Sequence, residues 1–160
     1  MKYHYERCNS AKSNRGFTLI ELMVVVGIIA VLLTVTGRAL FIVKQNHDLN
    51  ITARQIEAAL KDCQASAFYS GSWYKVYFWP SINRYRVYRG AGEVVKDVQL
   101  ENIKLHHTNF IDHRVDFYST GIPSMGGTVT LKNKNGKTLY VIMTPVTART
   151  RVSTEPPDNW

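Results

Sequence analysis

The sequence predicts an α+β protein: a long N-terminal helix, apolar in its first half and amphipathic in its second, packed on a C-terminal antiparallel β-rich head. Three observations carry this. Residues 17–36 form a 20-residue stretch with a single charge, Glu21. Beyond it, apolar residues recur at helical spacing as far as Ser70-Gly71-Ser72. From Trp73 onward the apolar period becomes two, the signature of strands.

The length of 160 residues leaves room for one domain beside the apolar segment. Four parts follow in order: a polar leader (1–16), an apolar helix (17–36), its amphipathic continuation (37–70) and a β-rich head (71–160). The net charge is +8, from 20 Lys+Arg against 12 Asp+Glu. Four of those cations and one carboxylate lie in the leader, so without it 16 basic and 11 acidic residues remain, a net +5. That balance is compatible with an anionic partner. Of the two cysteines, Cys8 lies in the leader, so loss of the leader leaves Cys63 without an intrachain disulfide partner. The head must then hold by its core.

In a helix, residues 17–36 would span ~30 Å, the thickness of a bilayer's hydrocarbon core. Membrane insertion is expected. Lys2, Arg7, Lys12 and Arg15 precede the run, which places the N-terminus in the cytoplasm and the rest of the chain outside. A secretory signal fits poorly, since the run is too long and Gly37-Arg38 and a helical continuation follow it. Glu21 is the anomaly. A carboxylate in the membrane costs on the order of 2.5–3.5 kcal/mol even on insertion scales, and persists where it has a partner or a role. No basic residue stands one turn away, at 17, 18, 24 or 25, so its partner is expected from elsewhere.

The stretch Gly16-Phe17-Thr18-Leu19-Ile20-Glu21 resembles the class III signal of type IV prepilins without a departure. The resemblance implies cleavage between Gly16 and Phe17 by a membrane prepilin peptidase on the cytoplasmic side, and N-methylation of Phe17. It also implies a role for Glu21: pairing with the new α-amine of a neighbouring subunit as helices bundle into a filament. Other pilin or pseudopilin subunits are the partners so implied.

Past the apolar run, Leu49, Ile56, Leu60, Cys63 and Ala67 form a helical stripe, with Lys44, Arg54, Glu57, Lys61 and Asp62 elsewhere around the helix. One helix is expected over about 17–69, with Cys63 as a small buried hydrophobe. Strands are expected at 74–79 and 85–89 around a turn at 80–83, then at 94–100, 103–107, 114–118, 128–132, 138–143 and 146–152. Asn135-Gly136 supplies the clearest hairpin turn.

The head resembles the GspH/FimT family of minor pilins and pseudopilins, through Phe117 with Gly121, two strands around a turn, and a terminal Ala148-Arg149-Thr150-Arg151. At that last motif the family has Gly where this chain has Ala148. A pilin-like ladle, stalk plus head, is what the resemblance implies.

No catalytic constellation emerges, and neither enzyme activity nor a cofactor is expected. His106, His107 and His113 are read as surface residues, because strand neighbours point to opposite faces and no Cys or carboxylate cluster completes a metal site. The aromatic run between Tyr69 and Tyr88 is read as alternate members filling the sheet–helix interface, against a stacking platform. Lys132, Lys134, Lys137, Arg149 and Arg151 lie in a C-terminal stretch without acidic residues. Two readings stand: contacts to the phosphate backbone of DNA, or an ordinary charged sheet edge. The expected function is a minor pilin or pseudopilin, anchored in the cytoplasmic membrane and then assembled in or at the tip of a type IV pilus or type II secretion pseudopilus. The alternative is a DNA receptor of a competence pilus.

Overall fold

The structure is a computed structural model and describes residues 16–145 and 147–157, with the side chains of residues 35–39 outside the described set. The leader up to Arg15, Cys8 included, therefore lies outside it. The chain separates into two compact units, residues 1–39 and 40–160. Helix α1 (Leu19–Ser70) contributes to both.

In the first unit every described side chain from Gly16 to Thr34 is exposed, including Leu19 (77%) and Leu33 (66%). Among the described residues no helix is long and apolar enough to cross a membrane. The expected span of residues 17–36 begins before the helix does and ends among side chains that are not described. What remains, residues 19–34, falls short of the ~20 residues a bilayer needs.

The second unit explains the stripe. Leu49, Ala53, Ile56, Ala59, Leu60, Cys63 and Ala67 are at most 3% exposed and form one hydrophobic cluster with the inner faces of two sheets. Burying each Leu or Ile there contributes roughly 1.5–3 kcal/mol. The small side chains at 53, 59, 63 and 67 let the helix lie close to the sheets. α1 stops where Gly71 takes φ 61°, the left-handed conformation that terminates many helices.

Eight strands follow: β1 (Tyr74–Trp79), β2 (Arg84–Arg89), β3 (Glu93–Gln99), β4 (Lys104–Thr108), β5 (Arg114–Phe117), β6 (Gly127–Lys132), β7 (Thr138–Met143) and β8 (Thr150–Ser153). They form two antiparallel four-stranded sheets, ordered β3-β2-β1-β5 and β4-β6-β7-β8. Alternation assigns the faces: in β1, Tyr74, Val76 and Phe78 are buried, while Lys75, Tyr77 and Trp79 point out. The α+β architecture is as the sequence predicts, and most strand boundaries agree within a residue or two.

Two local devices join these pieces. Asn83 takes φ 56° after the Pro80–Ile82 turn. Its amide donates to the Leu100 and Ile103 carbonyls, and its Oδ1 accepts from the Leu105 N–H at 2.6 Å. The first sheet is thereby pinned to the start of the second. The other device is a correction. The last strand begins at Thr150 rather than at 146, because Ala148 sits at φ 51° and the Thr144 N–H closes a loop onto the Arg149 carbonyl at 3.0 Å.

Candidate functional site: an N-terminal processing and assembly motif

The candidate site begins as a helix end. Four N–H groups at a helix N-terminus lack intrahelical partners, and side-chain oxygens satisfy them. Thr18 and Glu21 do so reciprocally. The Glu21 carboxylate accepts from the Thr18 N–H and from the Thr18 hydroxyl, both at 3.1 Å, while Thr18 Oγ1 accepts from the Glu21 N–H at 3.3 Å. The Leu22 N–H bonds to the Thr18 carbonyl at 3.2 Å and opens the helix. Thr-x-x-Glu is a capping box. Beside the charge partner expected from elsewhere, Glu21 has a local polar partner three residues away. That partner is a hydroxyl and an amide rather than a cation, and the Thr-x-x-Glu spacing is its sequence signal.

The rest of the motif is unencumbered. A Cβ built on Gly16 meets nothing within 4 Å. The fold therefore does not require glycine there. Phe17 is 87% exposed. The local carboxylate also lies where the helix dipole is positive, which favours it further. Glu21 thus keeps a capped helix end immediately beside the point where a chain starting at Phe17 would carry its amine.

In the second unit, the motif Phe117 with Gly121 has a clear structural basis. Phe117 is fully buried, and the turn after it closes through Gly121 N–H to Tyr118 O at 2.8 Å. Gly121 lies at φ 76°, and a Cβ there would stand 3.3 Å from the Phe68 Cβ on α1. Ala148, where the resemblance expects glycine, adopts the left-handed φ of 51° that glycine favours.

The basic residues are not gathered into one patch. Lys132 ends β6, while Lys134 and Lys137 are exposed in the β6–β7 turn. Arg149 lies in the β7–β8 loop, outside any strand, and Arg151 pairs opposite Ile142 near the far end of β7. Four residues of β7 separate Thr138 from Ile142, about 14 Å along a strand. Lysines and arginines occupy opposite ends of β7. Arg149 and Arg151 are both exposed, but only Arg151 lies on a strand.

Among the histidines, the register shift between Leu105 and His107 is the bulge that would turn His106 and His107 to one side, and both are exposed. Among the described residues no group of three His, Cys, Asp or Glu is placed to hold a metal. Burial pushes the Cys63 thiol up to about 12, with Asp62 adding to the effect. Such a thiol stays protonated and packs as a hydrophobe.

The Prokaryotic N-terminal methylation motif matches residues 11–37. The solved structure of the minor pseudopilin EpsH from the Type 2 Secretion System of Vibrio cholerae matches with a TM-score of 0.58 at 14% identity, covering 66% of this chain and 96% of that chain. No curated protein sequence matches this one. The chain thus carries an N-terminal methylation motif ahead of an α+β head of pilin-like fold. Its head has the fold of a GspH-type minor pseudopilin, as the sequence resemblance implied.

Proposed function

We propose that the chain is a minor pilin or pseudopilin, a structural subunit assembled in or at the tip of a type IV pilus or type II secretion pseudopilus. The observation that carries this reading is the first unit: described side chains from Gly16 to Thr34 are apolar almost throughout, all exposed, and headed by a prepilin motif. Exposed apolar surface on this scale marks a membrane or subunit interface. Prepilin peptidase cuts between Gly16 and Phe17, and the new amine of Phe17 is methylated. Residues 17–36 hold the subunit in the cytoplasmic membrane with the head outside until neighbouring helices replace the lipid. Glu21 then serves twice, capping its own helix and meeting the amine of the adjacent subunit. A buried charge pair of this kind sets register.

The alternative of a DNA receptor acting through Lys132, Lys134, Lys137, Arg149 and Arg151 gains no support from a geometry that splits those residues between two ends of β7. The structural role is tested by following the chain in cells with and without the peptidase. In the presence of the peptidase it should move from the membrane fraction into sheared or sedimented filaments. A chain that reaches filaments equally well without the peptidase contradicts the reading.

A further inference from the structure

The outer face of the first sheet has an unusual composition for a solvated sheet. The inner alternates fill the core, yet the outer ones are not the short polar residues a wet face ordinarily carries. β1 turns out Lys75, Tyr77 and Trp79, and β2 turns out Arg84, Arg86 and Tyr88. Rings and cations alternate and touch. Tyr77 stacks on Trp79 at 5.5 Å and meets Tyr88 edge-on at 5.9 Å. Lys75 Nζ lies 4.5 Å above the Trp73 ring, Arg86 stands 5.7 Å from Trp79, and Arg114 stands 5.9 Å from Tyr77 while donating to its hydroxyl at 3.1 Å. These contacts hold long side chains in place and lower the entropy lost when they bind.

Two carboxylates on this face are already engaged, and Asp112 also acts on Arg114. Asp97 is 2.8 Å from Arg86 and 3.1 Å from Arg84, and Asp116 is 3.5 Å from Arg114. Lys75 has no carboxylate in an ion pair with it among the described residues. Beside β5 the face opens into a shallow cleft of about 360 Å³ lined by Trp73, Lys75, Arg114, Asp116 and Tyr118. Its two aromatic walls are 41% and 54% exposed.

We propose that this outer face binds single-stranded nucleic acid, with a base taken up between Trp73 and Tyr118 and phosphates held by Lys75 and Arg114. Planar rings and cations on one surface suit a polymer that offers a π-face and an anion at every unit. A duplex hides its π-faces in the stack and engages only the cations. A second copy of this chain would bring the same cations against themselves. The site is independent of the filament reading, because it lies wholly in the second unit and is read out without assembly.

The test uses the full chain in non-ionic detergent micelles, titrated with labelled oligo(dT), a mixed-sequence single strand and the matching duplex. Single strands should bind with little sequence preference, quench tryptophan emission, and outcompete the duplex. Affinity should fall with salt, and Lys75→Gln with Arg114→Gln should flatten the log–log slope by about 1.4, two phosphates at about 0.7 each. Trp73→Ala with Tyr118→Ala should weaken binding at least about tenfold, while leaving that slope unchanged. Arg149→Gln with Arg151→Gln should leave affinity within about twofold, since Arg151 lies on the other sheet and Arg149 in the loop leading to it. Parent protein that binds no single strand at low salt, that binds duplex or heparin as tightly, or whose slope survives the Lys75 and Arg114 changes, overturns the proposal.

Discussion

Glu21 has two roles in this account, and they can be separated by substitution. Thr18→Val removes the hydroxyl that donates to Glu21 Oε2 at 3.1 Å and accepts from the Glu21 N–H. Loss of such a cap costs about 1 kcal/mol, roughly a fivefold effect on the helix end. Glu21→Gln keeps an oxygen to accept from the Thr18 N–H, because Gln serves in capping boxes as Glu does. It deletes the charge. If the neighbour's amine depends on that charge in apolar surroundings, the loss is of the order of 2.5–3.5 kcal/mol per contact, about a hundredfold. Glu21→Val loses both.

The assay is the fraction of chain recovered in filaments at matched membrane levels. The charge outweighs the cap, so Thr18→Val should assemble close to the parent level, with Glu21→Gln and Glu21→Val both strongly impaired. Membrane insertion should persist in all three, and Glu21→Val should insert at least as well as the parent. Wild-type assembly by Glu21→Gln, with failure of Thr18→Val, would refute the pairing and leave only the cap.

Three further outcomes follow from the same geometry. Gly16→Val should leave the thermal melt unchanged, since a Cβ there meets nothing within 4 Å, yet it should block leader removal on an immunoblot. Gly121→Ala should destabilise the head by about 1–2 kcal/mol in a denaturant titration, because φ 76° is strained for an L-residue and the new Cβ stands 3.3 Å from Phe68 Cβ. For Cys63, the native pKa of about 12 lies above the ordinary 9.0, so the unfolded thiol ionises first as pH rises. Its stabilising contribution is complete below pH ~9 and declines by about 1.4 kcal/mol per pH unit until the folded thiol itself titrates. Cys63→Ala should lower the baseline by leaving a cavity but flatten this alkaline decline, as read from melts across that window.

The helix and its stripe were legible because a period of 3.6 is a local property: Leu49, Ile56, Leu60, Cys63 and Ala67 all lie in the core. The β6–β7 turn was legible for the same reason, since Asn135-Gly136 carries its own geometry and Gly136 takes φ 86°. Which strands pair was not. β1 lies beside β5 and β4 beside β6, and such neighbours are chosen by packing of distant segments rather than by any local pattern. The start of β8 was missed because nothing in an alanine announces a left-handed backbone. The basic residues failed to converge for a related reason. Periodicity assigns a face to Arg151, but only the register opposite Ile142 says which end of the sheet it occupies. The outer aromatics were half seen: alternation did send Tyr74, Phe78 and Tyr85 inward. It could not show that the remaining rings would meet cations.

The central claim is that this chain is matured at Gly16–Phe17 and used as a filament subunit, and the mature N-terminus tests it most directly. Intact-mass and N-terminal peptide spectra of chain purified from cells that contain prepilin peptidase should show a protein beginning at Phe17 and carrying one methyl group on its α-amine. The same chain from cells without the peptidase should begin at Met1. A filament-associated chain that still begins at Met1, or that is cut anywhere other than before Phe17, contradicts the account.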